Sequence, residues 1–308
     1  MKKPPVTIAI PCFNAARSVA TAIQSALDQT WPEKQVIVVD DGSEDGSLEA
    51  VRAFGERVVL LQSEHRGGNH ARNVALRAAH GEWVQFLDAD DFLEPAKIER
   101  QLAEAGYGAA AEVIYSPTWI EENGERRVHE IDPKLDLVSQ WLAWQMPQTG
   151  GALWRTSALL ILGGWKEVQP CCQEHELYLR ALKAGWRFVF APTPHAVYRI
   201  WSQETVCRKD PRLVIDVRTA LIDELRTWLT ESGRWTEEHR QIAGRACFEM
   251  ARTLAQTDLA RASVYHRDRR ARKLIHLAGP AAPRSYRWVH GTAGFNAAER
   301  LAALTRRS

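Results

Sequence analysis

No apolar run in this chain of 308 residues approaches the ~18 residues that a bilayer-spanning helix needs, so no segment reads as a membrane span. Cysteine is scarce. Cys12, Cys171, Cys172, Cys207 and Cys247 are odd in number and contain no Cys-x-x-Cys pair, which argues against a disulfide framework or a zinc site and suits a reducing cytoplasm. The first residues lead directly into a strand without the apolar stretch of a signal peptide. Internal repeats and long low-complexity segments are missing too. Pro11-Cys-Phe-Asn-Ala15, after the first apolar strand, has no glycine. That excludes the phosphate turn of a dinucleotide-dependent oxidoreductase and the glycine-rich, basic first loop of a nucleotidyltransferase. Net charge is almost absent, at +2 overall, yet it is unevenly spread. Residues 211–308 hold 18 Lys and Arg against 10 Asp and Glu, whereas the preceding 210 residues hold 22 against 28. The basic end suits an anionic surface such as lipid headgroups or phosphorylated acceptors, and equally a solvated helical face. A nucleic-acid partner is not expected.

What is present is ample core material, 45% hydrophobic, in a length that suits one large or two unequal domains. From Val6, short β-branched runs alternate with helical periodicity, the pattern of an α/β domain with a largely parallel sheet. Strands are expected at Val6-Thr-Ile-Ala-Ile10, Gln35-Val-Ile-Val-Val39, Arg57 to Gln62, Glu82-Trp-Val-Gln-Phe-Leu87, Glu112 to Ser116 and Arg187 to Phe190. Helices are expected through Val19, Ile23 and Leu27, from Asn69 to His80, from Pro95 to about Ala105, around Trp141 and Trp144, and from Gln173 to Ala184. Glu121 to Arg126 reads as a charged turn, and Gly150-Gly151 and Gly163-Gly164 bracket a short strand and helix. From Pro211 onward only helical periodicity remains, through Ile215, Leu221, Ile222, Leu225 and Leu229, then through Ala246, Met250 and Leu254. The expected organisation is a catalytic domain over 1–209 and a helical, basic region over 210–308.

Two acidic clusters each follow an apolar strand, Asp40-Asp-Gly-Ser-Glu-Asp-Gly46 and Asp88-Ala-Asp-Asp91. A parallel sheet brings both to its carboxyl edge, where α/β sheets bind ligands. Asp88 and Asp90 supply the oxygen donors that a hard cation, Mg²⁺ or Mn²⁺, takes together with a diphosphate. Capping of the helix that begins near Pro95 accounts for the same acids equally well. Asp41 can accept from a nucleobase N–H, with Pro11, Phe13 and Asn14 lining the same pocket, or can close an ordinary Asx-turn. Arg72 sits early in a helix, where a guanidinium joins the N–H groups on phosphate, or is a solvent-exposed helix charge. His65 and His70 stand at no metal spacing and are expected at the surface. Glu174 and Glu176 open a helix, so a carboxylate there is placed as a general base or simply pairs with the helix dipole. His175 has the right chemistry for a base and is expected to face elsewhere.

In their order and spacing these segments resemble the family 2 glycosyltransferases, an inverting group with the GT-A nucleotide-sugar transferase fold. The resemblance runs from about Val6 to Thr205 and rests on Val6 to Asn14, Val38 to Ser47, Gly67 to Asn73 and Gly81 to Asp91. It implies that Asp41 reads the base, that Arg72 approaches the nucleotide, and that Asp88 and Asp90 hold Mn²⁺ or Mg²⁺. Gly163-Gly-Trp165 and Gln173-Glu-His-Glu-Leu-Tyr-Leu-Arg180 resemble the family's Glu-Asp segment, with Glu174 in place of the aspartate base and one methylene longer. Tyr198-Arg-Ile-Trp-Ser202 resembles the closing strand, where many members have a histidine near the position of Trp201. The Gln-x-x-Arg-Trp motif and membrane helices of processive members are missing, which favours transfer of a single sugar. The implied substrates are a nucleoside-diphosphate sugar and a glycan or lipid-linked acceptor, in a cytoplasmic protein peripheral to the inner face of an anionic membrane. The competing expectation is a catalytically silent nucleotide- or sugar-binding module of the same fold.

Overall fold

A computed structural model describes residues 3–200 and 210–305. The contacts divide the chain into two compact units. Described residues of 1–134 and 145–205 form one, and those of 135–144 and 206–308 form the other.

The first unit is built on β1 (Val6–Cys12), β2 (Lys34–Asp40), β3 (Val59–Gln62), β4 (Trp83–Phe86), β6 (Val113–Tyr115), β9 (Ala152–Arg155) and β10 (Phe188–Phe190), which among the described residues form a sheet in the order β10-β6-β9-β4-β1-β2-β3. β1 pairs in parallel with β2 and β4, and β3 with β2, while β9 is antiparallel to both β4 and β6. The mostly parallel α/β sheet expected from the alternating pattern is therefore present. Its strands read as unbroken apolar runs because both faces are covered. Val6, Ile8, Ile10 and Cys12 join Val36 and Val38 in one core with Val19, Ala22, Ile23 and Ala26 of α1 (Val19–Leu27) and Ile98 and Leu102 of α4 (Lys97–Ala105). Ala9, Ile37 and Val39, of opposite strand parity, are equally buried, and α3 (Gly68–Arg77) packs on β1 and β2. Each fully buried Val or Ile contributes about 1.5–3 kcal/mol.

A smaller sheet, in the order β5-β11-β7-β8, combines β5 (Phe92–Leu93), β7 (Thr118–Glu122), β8 (Glu125–His129) and β11 (Ala196–Ile200). The charged stretch read as a turn is thus a hairpin, with Asn123 (φ 54) and Gly124 (φ 83) at its tip. A helix α2 (Ser47–Arg52), not expected from the sequence, follows the first acidic cluster. The expected short strand and helix between the glycine pairs are β9 and α6 (Thr156–Ile161), and α7 (Gln173–Lys183) ends at Gly185 as its sequence implies.

The second unit is helical among its described residues: α5 (Leu137–Leu142), α8 (Pro211–Glu231), α9 (Glu237–Ala255), α10 (Leu259–Ala271) and α11 (Arg284–Thr305). Asp136, Asp210, Thr236 and Asp258 cap the first four by accepting first-turn amides. Ile215, Leu221, Ile222, Leu225, Leu229, Ala246, Met250 and Leu254 are all buried, as their spacing requires. Trp144 lies beyond the end of α5, and α11 breaks at Gly294 (φ 81), a left-handed position that favours glycine. No helix among the described residues is long and apolar enough to cross a membrane.

Candidate functional site

β1 and β2 end side by side, and the loops that leave them are tied together. The Asn14 amide donates to Ser43 Oγ at 3.0 Å, and the Glu44 amide donates to Asn14 Oδ1 at 2.9 Å. Asp41 lies beneath them, 1% exposed. Its carboxylate accepts from the Gly67 amide at 2.8 Å, the Arg66 amide at 3.1 Å and Ser63 Oγ at 3.2 Å. These donors come from the loop after β3, so Asp41 is not closing a local Asx-turn. His65 Nδ1 lies 2.9 Å from Asp41 Oδ2, and its ring stacks on Phe13 at 3.9 Å between centroids. Phe13 is 43% exposed, and half-buried Pro11 stands before it. An exposed flat ring pair thus lies beside a buried carboxylate, a chemistry that suits a planar heterocycle with N–H donors.

α3 starts from this loop at Gly67 and carries Arg72, which is 8% exposed and not the solvent-facing charge of the simpler reading. Arg72 donates to Asp88 Oδ1 at 2.6 Å and to Asn69 Oδ1 at 3.0 Å, and lies 4.8 Å over the Trp165 ring. Its Nε is buried with no hydrogen-bond partner among the described residues. Burial opposes the charge, yet Asp88, Glu174 and Asp90 together hold the guanidinium pKa above its ordinary value. His70, expected at the surface, is buried instead, its Nδ1 3.1 Å from Glu167 Oε2. The segment that bears Glu167 is clamped on α3, since Asn73 exchanges hydrogen bonds with the Trp165 backbone at 2.8 Å in both directions. Gly164 (φ 67) makes this approach feasible, because a Cβ there would collide with Asn73 Oδ1.

Asp88 and Asp90 follow β4 at the same sheet edge. Neither Asp90 nor Asp91 caps α4, whose N-cap position is Ala96 with no side-chain bond, so the capping alternative does not hold. Asp91 is buried and accepts the Arg199 amide of β11 at 2.8 Å, and Arg199 Nε donates to the Asp90 carbonyl at 2.6 Å. Desolvation by its surroundings and then Asp88 push the carboxyl of Asp90 up from its usual range, although the residue is exposed. Crowded carboxylates that resist joint ionisation form an oxygen donor set that a divalent cation relieves. Among the described residues no group of three or more His, Cys, Asp or Glu side chains is placed to hold a metal by itself.

Glu174 enters from the other side, in the first turn of α7, which departs from a left-handed Cys172 (φ 56). Thr149, in a 3-10 turn at Thr149–Gly151, donates to Glu174 Oε1 at 2.6 Å. That turn is fixed from within, where buried Gln85 donates to the Gly150 carbonyl at 3.0 Å and buried Gln101 to the Gly151 carbonyl at 2.9 Å. Glu176 is buried and gripped by Arg180 at 2.8 Å, and His175 is buried, so neither is presented as Glu174 is. Trp201 and Ser202 of the expected closing strand lie outside the described residues.

The structure therefore brings Arg72, Asp88 and Asp90 together with Glu174 in electrostatic reach, and gathers Pro11, Phe13, Asn14 and Asp41 at the ends of β1 and β2. Sequence reasoning missed His65 stacked on Phe13, Trp165 under Arg72, and Thr149. Only the paired glycines beside Thr149 and Trp165 hinted at tight turns there. A cavity of about 290 Å³ lined by Trp83, Tyr107 and Arg155 opens at the amino end of β4, the edge opposite to these residues.

The profile of glycosyl transferase family 2 matches residues 7–160. The succinoglycan biosynthesis protein ExoO of Rhizobium meliloti (strain 1021) is 37% identical over 111 residues, 35% of this chain and 32% of that protein. The curated relatives are matched over 20–41% of their own length. Among solved structures, residues 1–349 of S. aureus TarS in complex with UDP-GlcNAc align over 98% of this chain and 91% of that one, at 18% identity and a TM-score of 0.67. The mannosyltransferase PcManGT from Pyrobaculum calidifontis, in complex with GDP-Man and Mn²⁺, aligns over 100% and 89%, at 19% identity and a TM-score of 0.50. The shared fold is the GT-A fold.

Proposed function

The chain belongs to glycosyl transferase family 2, and from that premise we propose that it moves a single sugar, with inversion, from a nucleoside-diphosphate sugar to an acceptor hydroxyl. The observation that carries this reading is the position of Arg72, which donates to Asp88 while the charges of Glu174 and Asp90 act on it. One guanidinium thus feels the charge of both the candidate donor-phosphate residues and the candidate base. Pro11, Phe13, Asn14 and Asp41 bind the nucleoside, and Arg72 binds the diphosphate. Asp88 and Asp90 are the residues that hold Mn²⁺ or Mg²⁺, which when bound supplies positive charge against the diphosphate. Glu174 takes the acceptor hydroxyl proton as that oxygen bonds to the anomeric carbon. The bond from this carbon to the phosphate oxygen breaks, and its electron pair leaves with the diphosphate. Holding donor and acceptor in line supplies much of the acceleration. The acceptor is a glycan or lipid-linked sugar of cell-surface synthesis, met by peripheral contact of the basic C-terminal unit with anionic membrane on the cytoplasmic side. ExoO, named for succinoglycan biosynthesis, supports the acceptor class.

A thermal-shift panel of UDP-, GDP- and dTDP-sugars with Mn²⁺, followed by a transfer assay on the stabilising donor, tests the reading. Binding without transfer or donor hydrolysis would leave the silent binding module. Asp90→Asn should cut activity by ~10²-fold or more while the fold persists. Unchanged activity in that variant, with both proteins resistant to EDTA, would remove the metal assignment.

A further inference from the structure

The C-terminal helices form an open surface cavity of about 270 Å³ that the proposed reaction does not use. One wall is a single face of α10, because Ser263, His266, Arg267 and Arg270 recur at i, i+3, i+4 and i+7. The facing wall is residues 293–296, where α11 breaks at Gly294 and resumes at Phe295. The two walls are pinned together. The Phe295 ring stacks on His266 at 4.3 Å, and Ser263 Oγ donates to Asn296 Oδ1.

Charge is distributed on α10 and just beyond it in a telling way. Arg261 is paired with Asp216, Arg269 with Asp223 and Asp268, and Arg272 with Asp268. Arg267 and Arg270, which line the cavity, have no ion pair among the described residues, and no carboxylate lines it with them. Burial, then His290 and Arg270, push the His266 pKa down to about 4, so its ring is neutral near pH 7 and offers hydrogen bonding rather than charge. The arginines alone therefore set the sign of the site. Planar guanidinium forks match phosphate oxygens, and Ser263 and Asn296 add polar groups to the same lining.

We propose that this cavity binds a phosphate group, carried by a lipid headgroup or by a soluble phosphate. The inference is independent of the donor and base assignments, since it uses none of their residues. It is tested on the full chain by calorimetric titration with inorganic phosphate and by co-sedimentation with phosphatidylglycerol vesicles. Arg267→Gln with Arg270→Gln, and separately Ser263→Asp, are compared with the wild type, with melting curves recorded for each. Both arginines are exposed, so the fold should be kept. At least a tenfold loss of phosphate affinity in both variants supports the site with a soluble ligand, and a loss of vesicle binding by the same variants identifies the headgroup as the source. Equal binding of wild type and variants to both probes overturns the proposal.

Discussion

Thr149 and Glu174 are 25 positions apart, and the hydrogen bond between them fixes which way the carboxylate points. Glu174→Gln keeps size and an acceptor oxygen but removes basicity, so transfer should fall ~10²–10⁴-fold in kcat with donor Kd unchanged. Glu176→Gln is the contrast. Its carboxylate is buried against Arg180, so the loss should appear in melting temperature rather than in kcat. Exchange of these two outcomes would shift the base to Glu176. Thr149→Val should lower kcat about tenfold through misplacement of the carboxylate. Thr149→Ser should restore kcat, and full kcat in the valine variant would reduce Thr149 to packing. Asp41, Arg72, Asp88 and Glu174 are legible in the sequence because each sits next to a strand end or a helix start. Thr149 is not, since its partner is set by a turn that only buried Gln85 and Gln101 hold in place. His70 was misread for a related reason, as its burial depends on a segment 97 residues away.

At the scale of elements, strands buried on both faces and helices with a clear apolar period are legible in the sequence. The β7–β8 hairpin is not, because Glu121, Glu122, Glu125, Arg126 and Arg127 mask the strand period with charge. The break in α11 is equally hidden, since a lone glycine within helical periodicity is compatible with an unbroken helix. Capping offers a sharp test in α5. Asp136 accepts the Ser139 amide at 2.7 Å and lies 3.2 Å from His239 Nε2 of α9. Burial alone would raise its pKa, but the Ser139 amide and His239 outweigh it and hold the carboxyl below its ordinary value. The folded state thus favours the ionised form more than the unfolded chain does. This stabilisation is present in full above about pH 4 and drains away as pH falls through the depressed folded value. Asp136→Ala should cost about 1 kcal/mol at neutral pH, read from the urea midpoint. The gap to wild type should narrow below about pH 4, and a gap constant down to pH 2 would show that the charge is irrelevant.

For the whole molecule, the uneven charge noted in the sequence falls largely on the second unit, which also exposes Trp288 (71%) and Leu304 (66%). The full chain should therefore sediment with anionic vesicles in preference to neutral ones, and added salt should release it. Each basic residue near the surface is worth about 1 kcal/mol at most, within a Debye length of about 10 Å at 0.1 M salt. No preference for anionic lipid would leave the solvated-face reading. The grouping of residues 135–144 with the C-terminal helices bears on descent. Trp141 is fully buried, and α5 meets α9 through Asp136 and His239. A recombination event at codon 210 that installed a foreign helical tail would leave this mid-chain helix facing a surface it had never evolved beside. Lineages can trade the tail only by carrying the stretch from 135 with it, so the two should be inherited together and change in step even though 65 codons lie between the end of that stretch and Asp210.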